Sequence, residues 1–301
     1  MFERKGPELE ELQAWINSKP LRLEELKGKV VLLDFWTYSC INCIRTLRHL
    51  RKMHDTYSKK GLVIIGIHTP EFEFEKEFEN VKKAVAKFEI KYPVALDNYH
   101  TTWTLYGNQY WPRSTLVDSK GFIRMEHVGE GGYDEIEDKI IELLTEIGFS
   151  VKSKVVKPHE MDYNSETTRE TYCGFLRNPL GIHSDKGEHV KGVVYIEGNW
   201  SRKSEFLKLE NEGHVLLKYS AKSVNAVMKP VEGKVEAEVL LDGKSVPKEK
   251  AGEDVIFKGG KGFVVVDHPD MYNLVNGKNF EMHELKILAK TPFQIYAYTF
   301  G

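Results

Sequence analysis

The sequence has no long hydrophobic run. Its richest stretches, Val30-Val31-Leu32-Leu33 and Leu62 to Ile67, are short and bounded by charged or turn residues. Crossing a bilayer as a helix takes about 20 consecutive apolar residues, so no membrane span is expected. Cysteine is scarce, with three residues in 301, which excludes a small scaffold held together by several disulfides. Charge of one sign is also missing. With 43 basic and 45 acidic residues the net charge is -2, so bulk electrostatics call for neither nucleic acid nor an anionic membrane as a partner. The N-terminal stretch MFERKGPELEELQAWINSK is charged and helical in rhythm, without the apolar core of a secretory leader. The expected location is therefore cytoplasmic, or extracytoplasmic if a leader was removed. What is present is ordinary for a globular protein, 41% apolar and 29% charged residues. At roughly 100–200 residues per domain the length suggests two domains.

The first half alternates strand and helix patterns. Lys29–Trp36 is an apolar strand interrupted only by Asp34. Ile44, Leu47, Leu50, Met53 and Tyr57 recur at helical spacing. Leu62–His68 is a second buried strand, and Phe74, Phe78, Val81, Val85 and Phe88 predict one helix over 74–88. Pro112–Val117 and Gly121–His127 form a hairpin around Asp118-Ser119-Lys120-Gly121, and Tyr133–Ile147 closes as a helix. Buried strands alternating with helices predict an α/β sheet covered on both faces. After Gly148 the rhythm changes to polar loop and then to short strands with period-two alternation. Examples are Val215, Leu217, Tyr219 and Val235 to Leu241, the latter ending in the hairpin signal Asp242-Gly243. Such strands predict an all-β sandwich or jelly roll. The expected division is a redox-type domain over 1–150, a linker and packing segment over 151–190, and a β-sandwich over 191–301.

Cys40-Ile41-Asn42-Cys43 follows a buried strand and opens a helix. A helix N-terminus carries about half a positive charge and unpaired N–H groups. A thiolate there is stabilised and nucleophilic near neutral pH. The spacing brings the second sulfur within bonding reach, so Cys40 is expected to attack a substrate disulfide and Cys43, one turn deeper, to resolve the mixed disulfide. The competing reading is half a zinc site. Zinc needs four ligands, and only the distant Cys173 remains, so no metal is expected and Cys173 is read as a buried, inert thiol. Asp34, six residues before Cys40 in an apolar strand, is expected to be desolvated, with a raised pKa, and able to accept the proton of Cys43.

Val31-Leu32-Leu33-Asp34-Phe35-Trp36 before the cysteines resembles the thioredoxin superfamily. The string Phe35 to Arg45 resembles more specifically the thioredoxin-like part of the DipZ proteins, in the TlpA/ResA branch. The resemblance continues through Gly66 to Phe72, Tyr92 to Asn98, Asn108 to Pro112 and Gly129-Glu130-Gly131. It resumes at Glu170-Thr171-Tyr172 and Glu197 to Trp200. It implies a thioredoxin fold followed by a jelly roll similar to a carbohydrate-binding module. It also implies thiol–disulfide oxidoreductase activity with no cofactor beyond the Cys40–Cys43 disulfide. Trp111-Pro112 would hold a cis bond facing the cysteines, with the Trp111 backbone pairing with an extended substrate. Glu71, after the second buried strand, would approach the cysteines and tune them. Trp36 and Tyr38 would shield the sulfurs or line the substrate groove, and Asp34 keeps its proton-handling role. DipZ proteins carry a membrane-spanning CcdA-like part upstream that is not within these 301 residues, so an external electron donor is expected. The partner is then a protein disulfide, and reduction is the expected direction in a reducing compartment.

A thiol peroxidase is disfavoured. Thr37 fits the threonine of the Pro-x-x-x-Thr-x-x-Cys setting of peroxiredoxins, but Leu33 stands at the proline position. The alternative from another class is a binding module with a tethered redox domain. Trp200, with Tyr195, Tyr219 and Tyr272, could form a sugar-stacking platform; a protein partner or a dimer contact ranks as high for this half, since architecture alone does not carry function.

Overall fold

Every residue from Val30 to Trp36 is buried, which a strand satisfies only at the centre of a sheet covered on both faces. The computed structural model describes residues 4–151, 154–156 and 164–301. They fall into two units, residues 1–162 and 163–301. The first contains, in chain order, β1 (Ala14–Ile16), β2 (Val30–Trp36), α1 (Ile41–Tyr57), β3 (Leu62–His68), α2 (Phe78–Lys87), β4 (Val94–Leu96), α3 (Thr101–Leu105), β5 (Arg113–Val117), β6 (Ile123–Val128) and α4 (Tyr133–Glu146). The sheet order is β1-β4-β3-β2-β5-β6. The strands β2, β3 and β4 are parallel, and β1, β5 and β6 run antiparallel to their neighbours. This is a thioredoxin-like α/β arrangement.

Alternation along β2 sorts its side chains. Val31, Leu33 and Phe35 join Ile65, Ile67, Trp103 and Tyr106 in one core cluster. Leu32, Asp34 and Trp36 point to the other face, where α1 packs on β3 and α4 on β2. Leu47, Leu50 and Met53 of α1 are fully buried, each stabilising by about 1.5–3 kcal/mol. Asp34 lies opposite Gly66 in the β2–β3 register. A Cβ on Gly66 would stand 2.9 Å from Trp36 Nε1 and 3.3 Å from Val94 Cγ2, so the absence of a side chain there lets the Trp36 indole lie against the strand.

Two expectations for this half change. The N-terminal stretch is helical in rhythm but carries no helix. Gly6-Pro7 removes a donor from its start, and Ala14–Ile16 instead pairs with Leu96–Val94 and covers the sheet edge. The helix expected over 74–88 is broken. A 3-10 turn over Glu73–Lys76 ends at Glu77, which is extended, before α2 begins. The cause is Glu75, whose carboxylate turns back to accept from the Glu71 and Phe72 N–H groups. Asn80 closes the break by donating to the Phe74 carbonyl.

The second unit contains β7 (Thr171–Tyr172), β8 (Ile182–Ser184), β9 (Val194–Arg202), β10 (Leu207–Pro230), β11 (Val235–Leu241), β12 (Lys244–Ser245), β13 (Val255–Lys258), β14 (Lys261–Val266), β15 (Asp270–Ala289) and β16 (Phe293–Phe300). All pairings are antiparallel except β8 with β9, and the unit is an antiparallel β-sandwich. Its long strands β10 and β15 bend at register shifts near Ala221–Ser223 and Val224–Asn225. Strand β10 pairs with β9 over Leu207–Leu217, and with β16 at Leu207 and Lys208 and again over Val224–Pro230. Asp242 and Gly243 both have positive φ, as the tight β11–β12 turn requires. The β-rich unit extends further toward the N-terminus than 191, because β7 and β8 pair into the same sheet. Their two- and three-residue length gives no periodicity to read. Part of the expected linker, 157–163, lies outside the described residues.

Gly66→Ala should destabilise the first unit by about 1–3 kcal/mol through overpacking against Trp36. Thermal or urea denaturation measures this, and an unchanged midpoint would show that the close approach does not constrain the fold.

Candidate functional site

The chain leaves β2 at Trp36, passes through Thr37-Tyr38-Ser39, and enters α1 with Cys40 as its N-cap. Cys40 has extended backbone, and its sulfur accepts from the Cys43 N–H at 3.3 Å. Cys40 is partly exposed and Cys43 is buried, the asymmetry that an attacking and a resolving thiol require. Burial pushes the Cys43 thiol well above its ordinary value. A hydrogen bond to Cys40, the charge of Cys40 and then that of Asp34 push the same way.

Asp34 is 1% exposed. Neither carboxylate oxygen has a hydrogen-bond partner among the described residues, and burial alone raises its pKa to about 7. Tyr92, also buried, feels the charge of Asp34 after the larger effect of its own burial. Its hydroxyl lacks a partner among the described residues too. Asp34 is thus a buried acid near enough for its charge to act on Cys43, and with a value of about 7 it is divided between its two protonation states at neutral pH.

A second buried carboxylate reaches the same loop. Glu75 is 0% exposed and accepts from the Ser39 hydroxyl at 2.7 Å and the Ser39 N–H at 3.3 Å. Its other oxygen accepts from the Glu71 N–H at 2.6 Å and the Phe72 N–H at 3.0 Å. Burial, and then the charge of Glu71, raise its pKa to about 7 against these donors. Sequence reasoning placed the tuning glutamate at Glu71. In the structure Glu75 holds the residue before Cys40, and Glu71 is a half-buried neighbour that acts on Glu75 by charge. The available signal was an acid between Phe72, Phe74 and Phe78, masked by the continuous helix expected there.

Trp111–Pro112 is cis. Phe35 pairs with Arg113, so the register puts Pro112 beside the end of β2, where the cysteine loop begins. Trp111 donates from Nε1 to the Thr69 carbonyl at 3.1 Å, and the Thr69 N–H in turn donates to the Trp36 carbonyl. Trp111 packs on Trp103 with ring centroids 4.4 Å apart. Tyr110 beside it is 60% exposed. Trp36 and Tyr38 are fully buried, so they pack beneath the loop and do not line an open groove. His68 lies between them, edge-on to Trp36 and stacked on Tyr38. Burial lowers its pKa to about 3, which leaves it neutral and unsuited to carry a proton near pH 7.

Other expected positions lie in the second unit. Cys173 is buried in the sandwich core, and burial pushes its thiol up. Trp200 packs edge-on against Phe293 and donates to the Glu197 carbonyl. Tyr195, Tyr219 and Tyr272 are each less than 10% exposed, so they do not present ring faces to a sugar.

Asp34 makes stability depend on pH. Its folded value of about 7 lies above the ordinary 3.8, so folding costs nothing from this group below pH 4. The cost grows as pH rises toward 7 and is complete above it, on the order of 4 kcal/mol. Asp34→Asn should therefore gain stability relative to the parent chain between pH 4 and pH 8. Urea denaturation at both pH values measures the difference, and an equal effect at the two would contradict the raised value.

Residues 4–126 match the AhpC/TSA family, and residues 181–301 match the family described as thioredoxin like C-terminal domain. Over 98% of its length the chain is 32% identical to Protein DipZ of Mycobacterium bovis, of which it spans 43%. The first unit alone is similar to smaller proteins. It is 26% identical to the thiol-disulfide oxidoreductase YkuV of Bacillus subtilis, over 46% of this chain and 94% of that protein. It is 29% identical to the thiol-disulfide oxidoreductase ResA of Bacillus thuringiensis, over 41% of this chain and 68% of that protein. An AhpC/TSA match lies on the half that holds the cysteines, and the likeness to DipZ runs on through the sandwich, although the chain spans less than half the length of that protein.

Proposed function

We propose that the chain is a thiol–disulfide oxidoreductase that reduces protein disulfides through Cys40 and Cys43. The observation that carries this reading is a combination of three groups: a partly exposed sulfur capping a helix, a buried sulfur one turn further on, and a buried carboxylate without a hydrogen-bond partner among the described residues whose charge acts on the second sulfur. Cys40, as thiolate, attacks one sulfur of the substrate disulfide and forms a mixed disulfide. The other substrate sulfur leaves as a thiolate and takes a proton from solvent. Asp34 accepts the proton of Cys43. The Cys43 thiolate then attacks the Cys40 sulfur, the second substrate sulfur leaves as a thiolate and takes up the proton held by Asp34, and Cys40 and Cys43 end as a disulfide. An external dithiol donor returns the pair to its reduced form with two electrons.

The raised pKa values suit this sequence. A carboxyl near 7 takes and returns a proton at little cost at neutral pH. A Cys43 thiol with a high pKa stays protonated until resolution, so only Cys40 attacks. Glu75 is a positioning residue, holding Ser39 and hence the start of the loop. Trp111 and Pro112 offer the backbone edge against which an extended substrate pairs, with Tyr110 as an exposed apolar contact. Among the described residues no helix is long and apolar enough to cross a membrane.

Reduction of a model protein disulfide tests the proposal. Cys40→Ser should abolish turnover. Cys43→Ser should accumulate a covalent mixed disulfide, visible as an adduct by mass spectrometry. Asp34→Asn should slow resolution about a hundredfold at pH 7 while the first attack proceeds. Undiminished turnover by Cys40→Ser would sink the proposal.

A further inference from the structure

The outer face of the sandwich holds a cluster of ionisable groups far from any role in thiol chemistry. His214 and Glu197 are direct partners across β9 and β10. Asp185 follows β8, and its N–H donates to the Ile196 carbonyl at 2.9 Å. One ligand atom from each of Asp185, Glu197 and His214 lies within 4.8 Å of the others. His214 Nε2 is 2.5 Å from Asp185 Oδ2 and 3.8 Å from Glu197 Oε2. We propose that Asp185, Glu197 and His214 form a binding site for a divalent transition metal, with zinc the best-fitting ion.

The chemistry of the donor set favours this ion. One imidazole and two carboxylates suit zinc, which takes three protein ligands and leaves a fourth position for water or an outside donor. Calcium takes six to eight oxygens, more than this cluster offers, and it does not favour imidazole. Surrounding groups orient the ligands as they do in metal sites. Asp185 Oδ1 is 2.7 Å from His189 Nε2, and His189 Nδ1 is 3.0 Å from Glu284 Oε1, a carboxylate–imidazole–carboxylate chain that fixes the Asp185 plane. Val193, Tyr195 and Leu216 form a small apolar cluster of their own in the strands that carry these groups, and the Tyr195 hydroxyl accepts from the Val190 N–H. Burial would raise the Asp185 pKa, but bonds to His214, Lys286 and His189 outweigh it and hold the group at about 2.

Lys286 is the competitor. Its Nζ lies 3.1 Å from Asp185 Oδ2, the oxygen shared with His214, and it supplies the positive charge that a bound cation would bring. Three carboxylates, Asp185, Glu197 and Glu284, stand against this one lysine. Lys286 sits on a flexible stem and can swing toward solvent when a metal enters. Removing its charge should strengthen metal binding, an effect opposite to that of removing a ligand.

The test uses the full chain with Cys40 and Cys43 both replaced by Ser, so that the thiols cannot chelate. After treatment with a chelator, zinc is added, the excess is dialysed away, and binding is followed by calorimetry and elemental analysis. One equivalent of zinc is expected. Glu197→Gln, at a largely exposed side chain, should weaken binding at least about tenfold. His214→Gln should abolish it, with the circular dichroism spectrum unchanged, and Lys286→Gln should bind more tightly than the parent. Failure to retain zinc, or retention unaltered in both Glu197→Gln and His214→Gln, would overturn the proposal.

Discussion

The first unit depends on a carboxylate buried in the middle of its central strand. Strand β2 is covered along its whole length, and Asp34 occupies the one position where that covering works against the chain. The register sets Asp34 opposite Gly66, and the missing Gly66 side chain leaves room for the Trp36 indole. The apolar residues of β2 and β3 bury enough surface to tolerate one acid whose value burial raises to about 7. The resulting buried acid acts by its charge on Cys43. An acid solvated at the surface would stay ionised near pH 7 and could not exchange a proton so evenly.

The loop that presents Cys40 is held from several sides. Ser39 is fixed by Glu75, which simultaneously closes the turn after β3. Thr69 joins β2 to Trp111 through successive backbone and indole hydrogen bonds. Arg113, next to Pro112, is itself buried and donates to the carbonyls of Tyr106 and Gly107 while pairing with Glu126. These contacts bring segments from four parts of the chain to the end of β2. A sulfur there is exposed on one side and backed by rigid structure on the other.

The sandwich follows a different logic. Its core is continuous and apolar, and Cys173 belongs to it as a small hydrophobe. The tyrosines that would suit a sugar are spent on that core or on local hydrogen bonds. Its concentrated polar chemistry lies instead on the outer face, where β8 and the segment after it meet β9, β10 and β15 around Asp185.

The sequence by itself determined the local elements and the candidate cysteine pair. The strand before Cys40, the two-residue spacing to Cys43 and the apolar period of α1 are local features, readable from neighbouring residues. The burial of Asp34 was also legible, because a carboxylate inside a run such as Val31 to Trp36 has no solvent to face. Only the tertiary structure decided which glutamate serves the loop. Glu75 and Glu71 are four residues apart, and the choice rests on a hydrogen bond to Ser39 across 36 positions. The same holds for the three-residue strands β1 and β4, too short to carry a period. Asp185, Glu197 and His214 come together through strand pairing, and pairing partners are set by register between distant segments, which no single stretch of sequence contains.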